Sequence, residues 1–363
     1  MWHKTPFTEM LNIRYPIVQG PFGGGHSSPE LVAAVTDAGG LGSFGAMGLA
    51  PDELGGLCAS IRSLTSGPFA INLWVSTSDE FSGTPALEGR FQEALAPVTP
   101  LFDELGITPP ALPTATPHDF DAQVEALIEA APPVFSFVYG VPNAGTLERC
   151  RARGIVTAGT ITTVEEAIAM DEAGVDVIVA TGFEAGGHRV SFLRPAESSL
   201  MGTLSLVPQV VDAVRAPVIA AGGIADGRGV AAVLALGASG AQIGTAFLAC
   251  EESNATAHHR DTLHSDRAWH TVLTRAYSGR LGRGLGNRVS EAYEHAHERP
   301  MPYPLQGQLN RALREAGETR NQMDFTPLWA GQSARLVRDR HAGALFERLV
   351  NEVEERIGVL RGD

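Results

Sequence analysis

Eight short apolar segments alternate with longer segments of helical pattern between residues 15 and 250, and this alternation restricts the fold more than any other feature of the sequence. Repeated strand–helix units give a parallel α/β sheet with right-handed crossovers. Eight units favour a closed (β/α)₈ TIM barrel, with an open doubly wound sheet as the alternative. The predicted strands are 16–20, 41–46, 68–75, 134–140, 154–160, 175–181, 217–223 and 240–245.

Several of the intervening helices have recognisable starts. Ser28 is followed by proline, which is favoured at the first helical position. Thr163 and Glu166 have the spacing of a capping box. Asp226 is a candidate N-cap for the apolar segment that follows it.

Two segments are additional to the eight strand–helix units of a TIM barrel. Residues 76–133 connect the third and fourth predicted strands and contain predicted helices over 86–98 and 118–130. Residues 251–363 form a helical region of mixed charge. We expect a barrel over residues 1–250 that includes the insertion, and a C-terminal region that packs on or completes the barrel and covers the active site. Helical segments packed beside a barrel would cover its mouth as a lid or form an interface with another subunit. In the second case the protein would form a homodimer.

Charge and cysteine content restrict the partners and the compartment. A net charge of −14 over 363 residues argues against nucleic acid or an anionic membrane as the main partner. The three cysteines are far apart and lack metal-ligand spacing, as expected of reduced, buried thiols. No apolar segment reaches the length of about 18 residues that a membrane span needs, and the start lacks the apolar core of a signal peptide. We therefore expect a soluble, cytoplasmic protein.

Residues 175–190 contain the strongest candidate for chemistry. An apolar strand segment is followed by Gly182, Gly186 and Gly187, and then by His188. Glycines allow a backbone to approach a ligand closely, and a histidine beside them can transfer protons near neutral pH. In a barrel, this loop would lie at the carboxyl end of the sixth strand, where active sites form.

Glycine-containing segments close the last two predicted strands. They are Gly222-Gly223 and the segment Gln242-Ile243-Gly244-Thr245. The loops after strands seven and eight of a TIM barrel often bind phosphate through backbone N–H groups. A tight turn would explain either segment alone, but two adjacent strand ends favour a phosphate site.

Other cofactor and catalytic patterns are missing from the sequence. It has no P-loop, no Ser-His-Asp pattern and no GxGxxG with a following acidic residue. His258, His259, His264 and His270 lack the partners of a metal site, so we interpret them as part of a solvated helix and predict no metal.

Seven segments together resemble one family of enzymes. They are PIVQGPFGGG at 16–25, GGLGSFGA at 39–46, FAINLW at 69–74, EAGGHR at 184–189, PVIAAGGI at 217–224, GAQIGT at 240–245 and LWAGQ at 328–332. In this order they resemble the FMN-dependent nitronate monooxygenases, formerly called 2-nitropropane dioxygenases. The resemblance extends from about residue 10 to about residue 335.

The resemblance implies a site, a cofactor and a reaction. His188 matches the catalytic histidine, and Phe22, His188 and Tyr303 would line the substrate pocket. FMN would be bound without a covalent link, and nitronate would be oxidised by O₂ to a carbonyl compound and nitrite or nitrate, through one-electron transfer to the flavin. The implied FMN contacts are Gly20, Pro21, Phe22, Gly23, Asn72, Thr181, Gly186, Gly187, Gly222, Gly223, Gln242, Ile243, Gly244, Thr245, Gly331 and Gln332.

Three departures from the family pattern bear on the substrate. Thr181 stands where many members have glutamine, and Val190 replaces a glycine that is common after the His-Arg pair. The segment after Tyr303 has no lysine. An NAD(P)H-dependent, FMN-containing enoyl thioester reductase, which would share the Gly-Gly-His loop, and a non-catalytic flavin-binding barrel therefore remain alternatives.

Overall fold

The fold was analysed in a computed structural model that describes residues 1–76, 79, 84–114, 119–294, 299–320 and 322–362, without the side chains of 84–86. Within these residues the strands are β1 (Ile17–Gln19), β2 (Gly42–Gly45), β3 (Phe69–Trp74), β4 (Val134–Val138), β5 (Val156–Ile161), β6 (Val177–Thr181), β7 (Gly187–His188), β8 (Val218–Ala221), β9 (Gly240–Ile243), β10 (Thr271–Thr274), β11 (Gly282–Leu285) and β12 (Leu328–Trp329).

The α-helices surround these strands and fill the connections. They are α1 (Pro6–Leu11), α2 (Pro29–Asp37), α3 (Glu53–Leu64), α4 (Thr84–Leu95), α5 (Thr99–Glu104), α6 (Phe120–Ala130), α7 (Ala144–Ala152), α8 (Val164–Ala173), α9 (Thr203–Ala213), α10 (Gly227–Ala235), α11 (Thr245–Leu248), α12 (Ala257–Leu263), α13 (Arg288–Glu294), α14 (Leu305–Leu309), α15 (Arg311–Thr319) and α16 (Ala342–Arg361). Short 3₁₀ turns occupy Ala96–Val98, Ala196–Ser198, Asp266–Trp269, Met323–Phe325 and Ala334–Leu336.

Eight parallel strands form the barrel, and each coincides with one of the eight predicted segments. Their order is β1-β9-β8-β6-β5-β4-β3-β2. Two backbone hydrogen bonds, from Gln19 N to Leu41 O and from Leu41 N to Ile17 O, close the ring. Every residue of β3 and β4 is buried, as expected of strands that face both the barrel interior and the helices. The predicted (β/α)₈ fold is confirmed.

Helix α1 precedes the barrel and fills its amino end. Phe7 packs inside the barrel against Val18 and Leu41. Thr5 caps this helix, and its hydroxyl donates to Ser239 O at 2.7 Å. The amino end is therefore sealed by apolar side chains, which leaves the carboxyl ends of the strands as the open side.

The predicted helix starts are confirmed at two positions and corrected at a third. Ser28 accepts from Leu31 N, and Asp226 accepts from the N–H groups that follow it. Thr163 caps α8, but the Glu166 carboxylate accepts from Thr162 N at 2.7 Å instead of returning to Thr163. The capping box is therefore wrong in its second half, because buried Glu166 is engaged by neighbouring groups.

The 76–133 insertion divides between two hydrophobic clusters. Helix α6 packs against α3 in the wall of the barrel. Helices α4 and α5 instead pack against the C-terminal region, where Phe91 and Phe102 share a cluster with Tyr293 and Leu305. Residues 77, 78, 80–83 and 115–118 of the predicted insertion, including the start of its second predicted helix, lie outside the described residues.

The C-terminal region returns to the barrel through its last helix. Leu345, Phe346 and Leu349 of α16 are buried in the main core beside α2 and α10. This helix fills the place that an eighth barrel helix would occupy. The division at residue 250 remains a prediction. None of the described helices is long and apolar enough to span a membrane.

Candidate active site

A small antiparallel sheet holds the His188 loop at the open end of the barrel. Its central strand, β11, pairs with β10 on one edge and with β7 and β12 on the other. His188 pairs with Gly282 and Gly187 with Arg283. The Gly/Arg segment 279–288 therefore supplies the strand that positions His188.

Arg189, the residue after His188, also holds this loop in place through hydrogen bonds. Its guanidinium, in a residue only 4% exposed, donates to Ser199 O at 2.8 Å, to Thr162 O at 3.0 Å and to Thr181 O. Burial lowers the pKa of Arg189 to about 10, so the group remains charged at neutral pH. A buried cation with several carbonyl partners rigidifies the backbone that carries the neighbouring histidine.

His188 is half-buried in an aromatic pocket. Its Nε2 lies 2.7 Å from Ser278 Oγ. The ring centroids of Trp329, Trp74 and Tyr303 lie 4.9, 5.3 and 6.0 Å from its own. Burial, with a smaller contribution from the charge of Arg280, lowers the pKa of His188 to about 3. The imidazole is therefore neutral at physiological pH.

Arg280 forms the far wall of this pocket. Its Nε donates to Asp79 Oδ1 at 2.9 Å, and its Nη groups donate to the carbonyl and hydroxyl oxygens of Ser76 at 3.0 Å. The guanidinium carbon lies 3.9 Å from the ring centroid of Tyr139 and 4.6 Å from that of Tyr303. The pocket thus contains one fixed positive charge beside a neutral histidine.

A cradle of backbone N–H groups lies at the ends of β8 and β9. Gly222 and Gly223 have φ of 101° and 73°, a region that favours glycine. Their carbonyls accept from Thr203 Oγ1 at 2.9 Å and Ser333 Oγ at 2.6 Å. Within the described residues the N–H groups of Gly222, Gly223 and Gly244 donate to no other group. These donors suit a phosphate.

The segment after β12 closes one side of the cradle. Gly331 N donates to Thr245 Oγ1 at 2.9 Å, and Gln332 N donates to Glu184 O at 2.9 Å. A Cβ at Gly186 would lie 2.6 Å from the Gly331 nitrogen, so the two backbones touch. The structure brings these predicted residues together, although the side chain of Gln332 is exposed and only its backbone takes part.

The loop after β1 joins the cradle to the aromatic pocket. A Cβ at Gly244 would lie 3.8 Å from the Phe22 ring, and one at Gly23 would lie 3.9 Å from the Trp74 ring. Phe22 N donates to Ser27 Oγ at 3.0 Å, which fixes the loop. Gly20 and Pro21 precede this contact, and Gly20 N donates to Ile243 O at 2.9 Å.

The remaining predicted residues lie at neighbouring strand ends. Asn72 is buried on β3, and its Nδ2 donates to Ser136 Oγ at 3.1 Å. Gln242 is half-buried on β9, whereas the Ile243 side chain is fully buried, so only its backbone can reach a ligand. Thr181 is buried at the end of β6. All the predicted positions therefore occupy one rim of the barrel.

Comparison with known proteins agrees with this geometry. The nitronate monooxygenase family model matches residues 4–352. This chain belongs to the nitronate monooxygenase family. A probable nitronate monooxygenase from Staphylococcus aureus (strain JH9) is 39% identical over 357 residues, which cover 98% of this chain and 99% of the relative.

Two solved structures share the fold over almost the whole chain. Nitroalkane oxidase from Streptomyces ansochromogenes has a TM-score of 0.88 and 36% identity, with 98% of this chain and 99% of that chain covered. FabK from Thermotoga maritima has a TM-score of 0.75 and 27% identity, with 99% of each chain covered. Family membership makes this chain a flavin-dependent oxidoreductase that acts on a small molecule with O₂.

Several pocket residues were not predicted from the sequence. Tyr139 directly follows β4, so the rule that identified the other strand ends would also have identified it. Ser278 and Arg280 gave no local signal, because they reach His188 only through the pairing of β7 with β11. His259 was wrongly assigned to a solvated helix face: it is 1% exposed, and its Nε2 lies 3.0 Å from Trp329 O.

Proposed function

We propose that this protein oxidises alkyl nitronates, such as propionate 3-nitronate, with O₂ to a carbonyl compound and nitrite or nitrate, using FMN as its flavin. The observation that carries the proposal is the position of His188: its loop touches the cradle at Gly186 and Gly331, and its ring lies in the aromatic pocket. The similarity to Streptomyces nitroalkane oxidase supports the same chemistry.

FMN fits this rim because it carries a single phosphate. Gly222, Gly223, Gly244 and Thr245 would hold that phosphate with backbone N–H groups and one hydroxyl. The loop at 20–23, with Asn72, Thr181, Gln242 and the backbones of Gly186, Gly187, Ile243, Gly331 and Gln332, would border the rest of the cofactor. When bound, FMN supplies the electron acceptor and the reaction with O₂.

His188 acts in this proposal as a neutral base and hydrogen-bonding group. The Ser278 hydroxyl is within 3.3 Å of Arg280 O, to which it can donate, and it then accepts the Nε2–H of His188. The lone pair of the ring is left on Nδ1, which no described residue hydrogen-bonds. A neutral nitroalkane would transfer its α-proton to Nδ1, with the C–H electrons moving to the nitro group. A nitronate has already lost that proton.

The two substrate classes therefore provide a test of His188. We expect His188→Ala to abolish oxidation of a neutral nitroalkane, measured by oxygen consumption, while nitronate oxidation is partly retained. The His270→Ala variant, which changes an exposed histidine, serves as the control. Equal losses on both substrates would argue against a base and for a role in binding alone.

The visible spectrum of the purified protein tests the overall proposal. We expect a yellow protein whose flavin spectrum changes on anaerobic mixing with propionate 3-nitronate and does not change with NADPH. Extraction should release FMN. The likeness to FabK motivates the NADPH arm: reduction by NADPH with no response to nitronate would overturn the proposal in favour of enoyl thioester reduction.

A further inference from the structure

Tyr139 has a backbone conformation that its sequence position does not explain. Its φ is 64°, in the left-handed region where side chains other than glycine are uncommon. The other such residues in the described part of the chain, Asn12 and Ala131, terminate helices α1 and α6. Tyr139 instead follows barrel strand β4, so no helix end accounts for it. Strain of this kind costs about 1–3 kcal/mol and concentrates at functional sites.

The hydroxyl of the same residue is buried without a hydrogen bond. Tyr139 is 7% exposed, and no group in the described residues makes a hydrogen bond of normal geometry to its oxygen, although the Arg280 guanidinium is a close polar neighbour. An unsatisfied buried hydroxyl is costly, and a phenylalanine would avoid the cost in a purely apolar cluster. Burial raises the pKa of Tyr139, so the phenol stays protonated and is available as a donor.

The ring of Tyr139 borders the pocket that contains His188. Its centroid lies 5.0 Å from that of Trp74, whose other neighbours are His188 at 5.3 Å and Tyr303 at 5.5 Å. Trp74 and Tyr139 form, with Val138 and Val190, one hydrophobic cluster at the mouth of the barrel, and Tyr303 packs against it. The phenol and the imidazole thus both contact the same indole.

Arg280 gives the phenol a preference for negatively charged oxygen. The guanidinium lies 3.9 Å from the Tyr139 ring centroid and is held in place by Asp79 and Ser76. A cation over a phenol ring makes its O–H a stronger donor. Since His188 is neutral, it brings no positive charge to the anionic end of a substrate.

We infer that the Tyr139 hydroxyl is the substrate-binding donor of this site and hydrogen-bonds an oxygen of the nitro or nitronate group. The inference rests on the proposed function for the identity of the substrate. Tyr139 thereby fixes the end of the substrate that carries the negative charge, with Arg280 as its positioning residue. In this interpretation, the left-handed backbone of Tyr139 directs its hydroxyl into the pocket.

Nitrite is the probe for this hydrogen bond, because it carries the same O–N–O group and needs no turnover. The flavin-loaded enzyme would be titrated with nitrite by calorimetry, comparing wild type, Tyr139→Phe and a control, Tyr293→Phe. The control removes a buried tyrosine hydroxyl that bonds Ala94 O away from the pocket. We expect Tyr139→Phe to raise the nitrite Kd about tenfold, the effect of losing one strong hydrogen bond, and Tyr293→Phe to leave it unchanged.

Thermal stability and nitronate kinetics complete the test. Tyr139→Phe should keep or raise the Tm, because it removes an unsatisfied buried group, while kcat/KM for nitronate falls by a factor similar to the loss of nitrite affinity. Nitrite binding that is absent in the wild type, or equally tight in Tyr139→Phe, would overturn the inference. A Tyr139-dependent nitrite affinity in an enzyme that does not oxidise nitronates would support the donor and refute the proposed function.

Discussion

His188 Nε2 and Ser278 Oγ lie 2.7 Å apart, although 90 positions separate them in the sequence. The contact depends on the pairing of β7 with β11, which brings a barrel loop and the C-terminal region into one sheet. Ser278 also lies within 3.3 Å of the Arg280 backbone, so its hydroxyl orients the imidazole; when that hydroxyl donates to Arg280 O, the imidazole proton is on Nε2.

Replacing Ser278 should therefore impair catalysis without loss of the cofactor. We expect Ser278→Ala to lower kcat/KM for a neutral nitroalkane by about five- to tenfold, the effect of losing one hydrogen bond. Ser278→Thr, which keeps a hydroxyl, should restore most of the activity. Flavin content should be unchanged in both variants. If Ser278→Thr were as impaired as Ser278→Ala, the hydroxyl would not be the group that matters.

Thr245 provides a test of the phosphate cradle. Its hydroxyl accepts from Gly331 N and retains its own proton for a phosphate oxygen. We expect Thr245→Val to raise the FMN Kd about tenfold and to leave riboflavin affinity unchanged, as measured by flavin fluorescence quenching. The control is Thr319→Val on the exposed end of α15. An equal loss for both flavins would place the phosphate elsewhere.

Arg189 should contribute more to stability than any surface arginine of this region. Arg189→Met leaves the carbonyls of Thr162, Thr181 and Ser199 without their donor. We expect a loss of about 3 kcal/mol in the free energy of unfolding, measured by denaturant titration. Arg194→Met, which removes an exposed ion pair with Glu165, should change it by less than about 0.5 kcal/mol. Similar losses in the two variants would show that the buried hydrogen bonds of Arg189 add no more stability than a surface ion pair.

Because buried His259 resists protonation, the free energy of unfolding should be smaller in mild acid than at pH 8. Burial lowers the pKa of His259 from 6.5 to about 4. Between these values the unfolded chain binds the proton and the folded chain does not, so stability falls as the pH drops below 6.5. The contribution is about 1.4 kcal/mol at pH 5.5 relative to pH 8.

The pH dependence can be measured as the Tm between pH 5 and pH 8. Wild type should lose more Tm on acidification than His259→Gln, and His270→Gln, changed at an exposed position, should behave as the wild type. Parallel curves for wild type and His259→Gln would show that this ring does not resist protonation in the folded state.

The barrel was predictable because its signals are local. Each strand is a short apolar segment, and the residues that close it are adjacent in the sequence, so the order of segments alone places Gly222, Gly223 and Gly244 at one mouth. The pocket was not predictable in the same way. Arg280 reaches Tyr139 through tertiary contacts, and nothing in its neighbouring residues distinguishes it from the exposed arginines of the chain.

The environments of His259 and of α6 depend on tertiary packing, which the sequence pattern does not reveal. His258 and His259 are neighbours on α12, yet only His259 is among the buried residues, where it contacts β12. Helix α6 looked like part of an insertion but packs in the barrel wall, because its Val124 and Leu127 face α3 and the main core. These outcomes depend on which surface a helix meets.

The small sheet around β11 makes the His188 pocket depend on segments that are synthesised late. A ribosome releases all eight barrel strands before β12, at Leu328–Trp329, has been synthesised. The barrel core also needs α16, which follows β12 in the sequence, so the core and the wall around His188 are completed by the same late part of the chain. A chain that stopped before β12 would therefore lack both the Trp329 wall of the pocket and the eighth helix of the barrel.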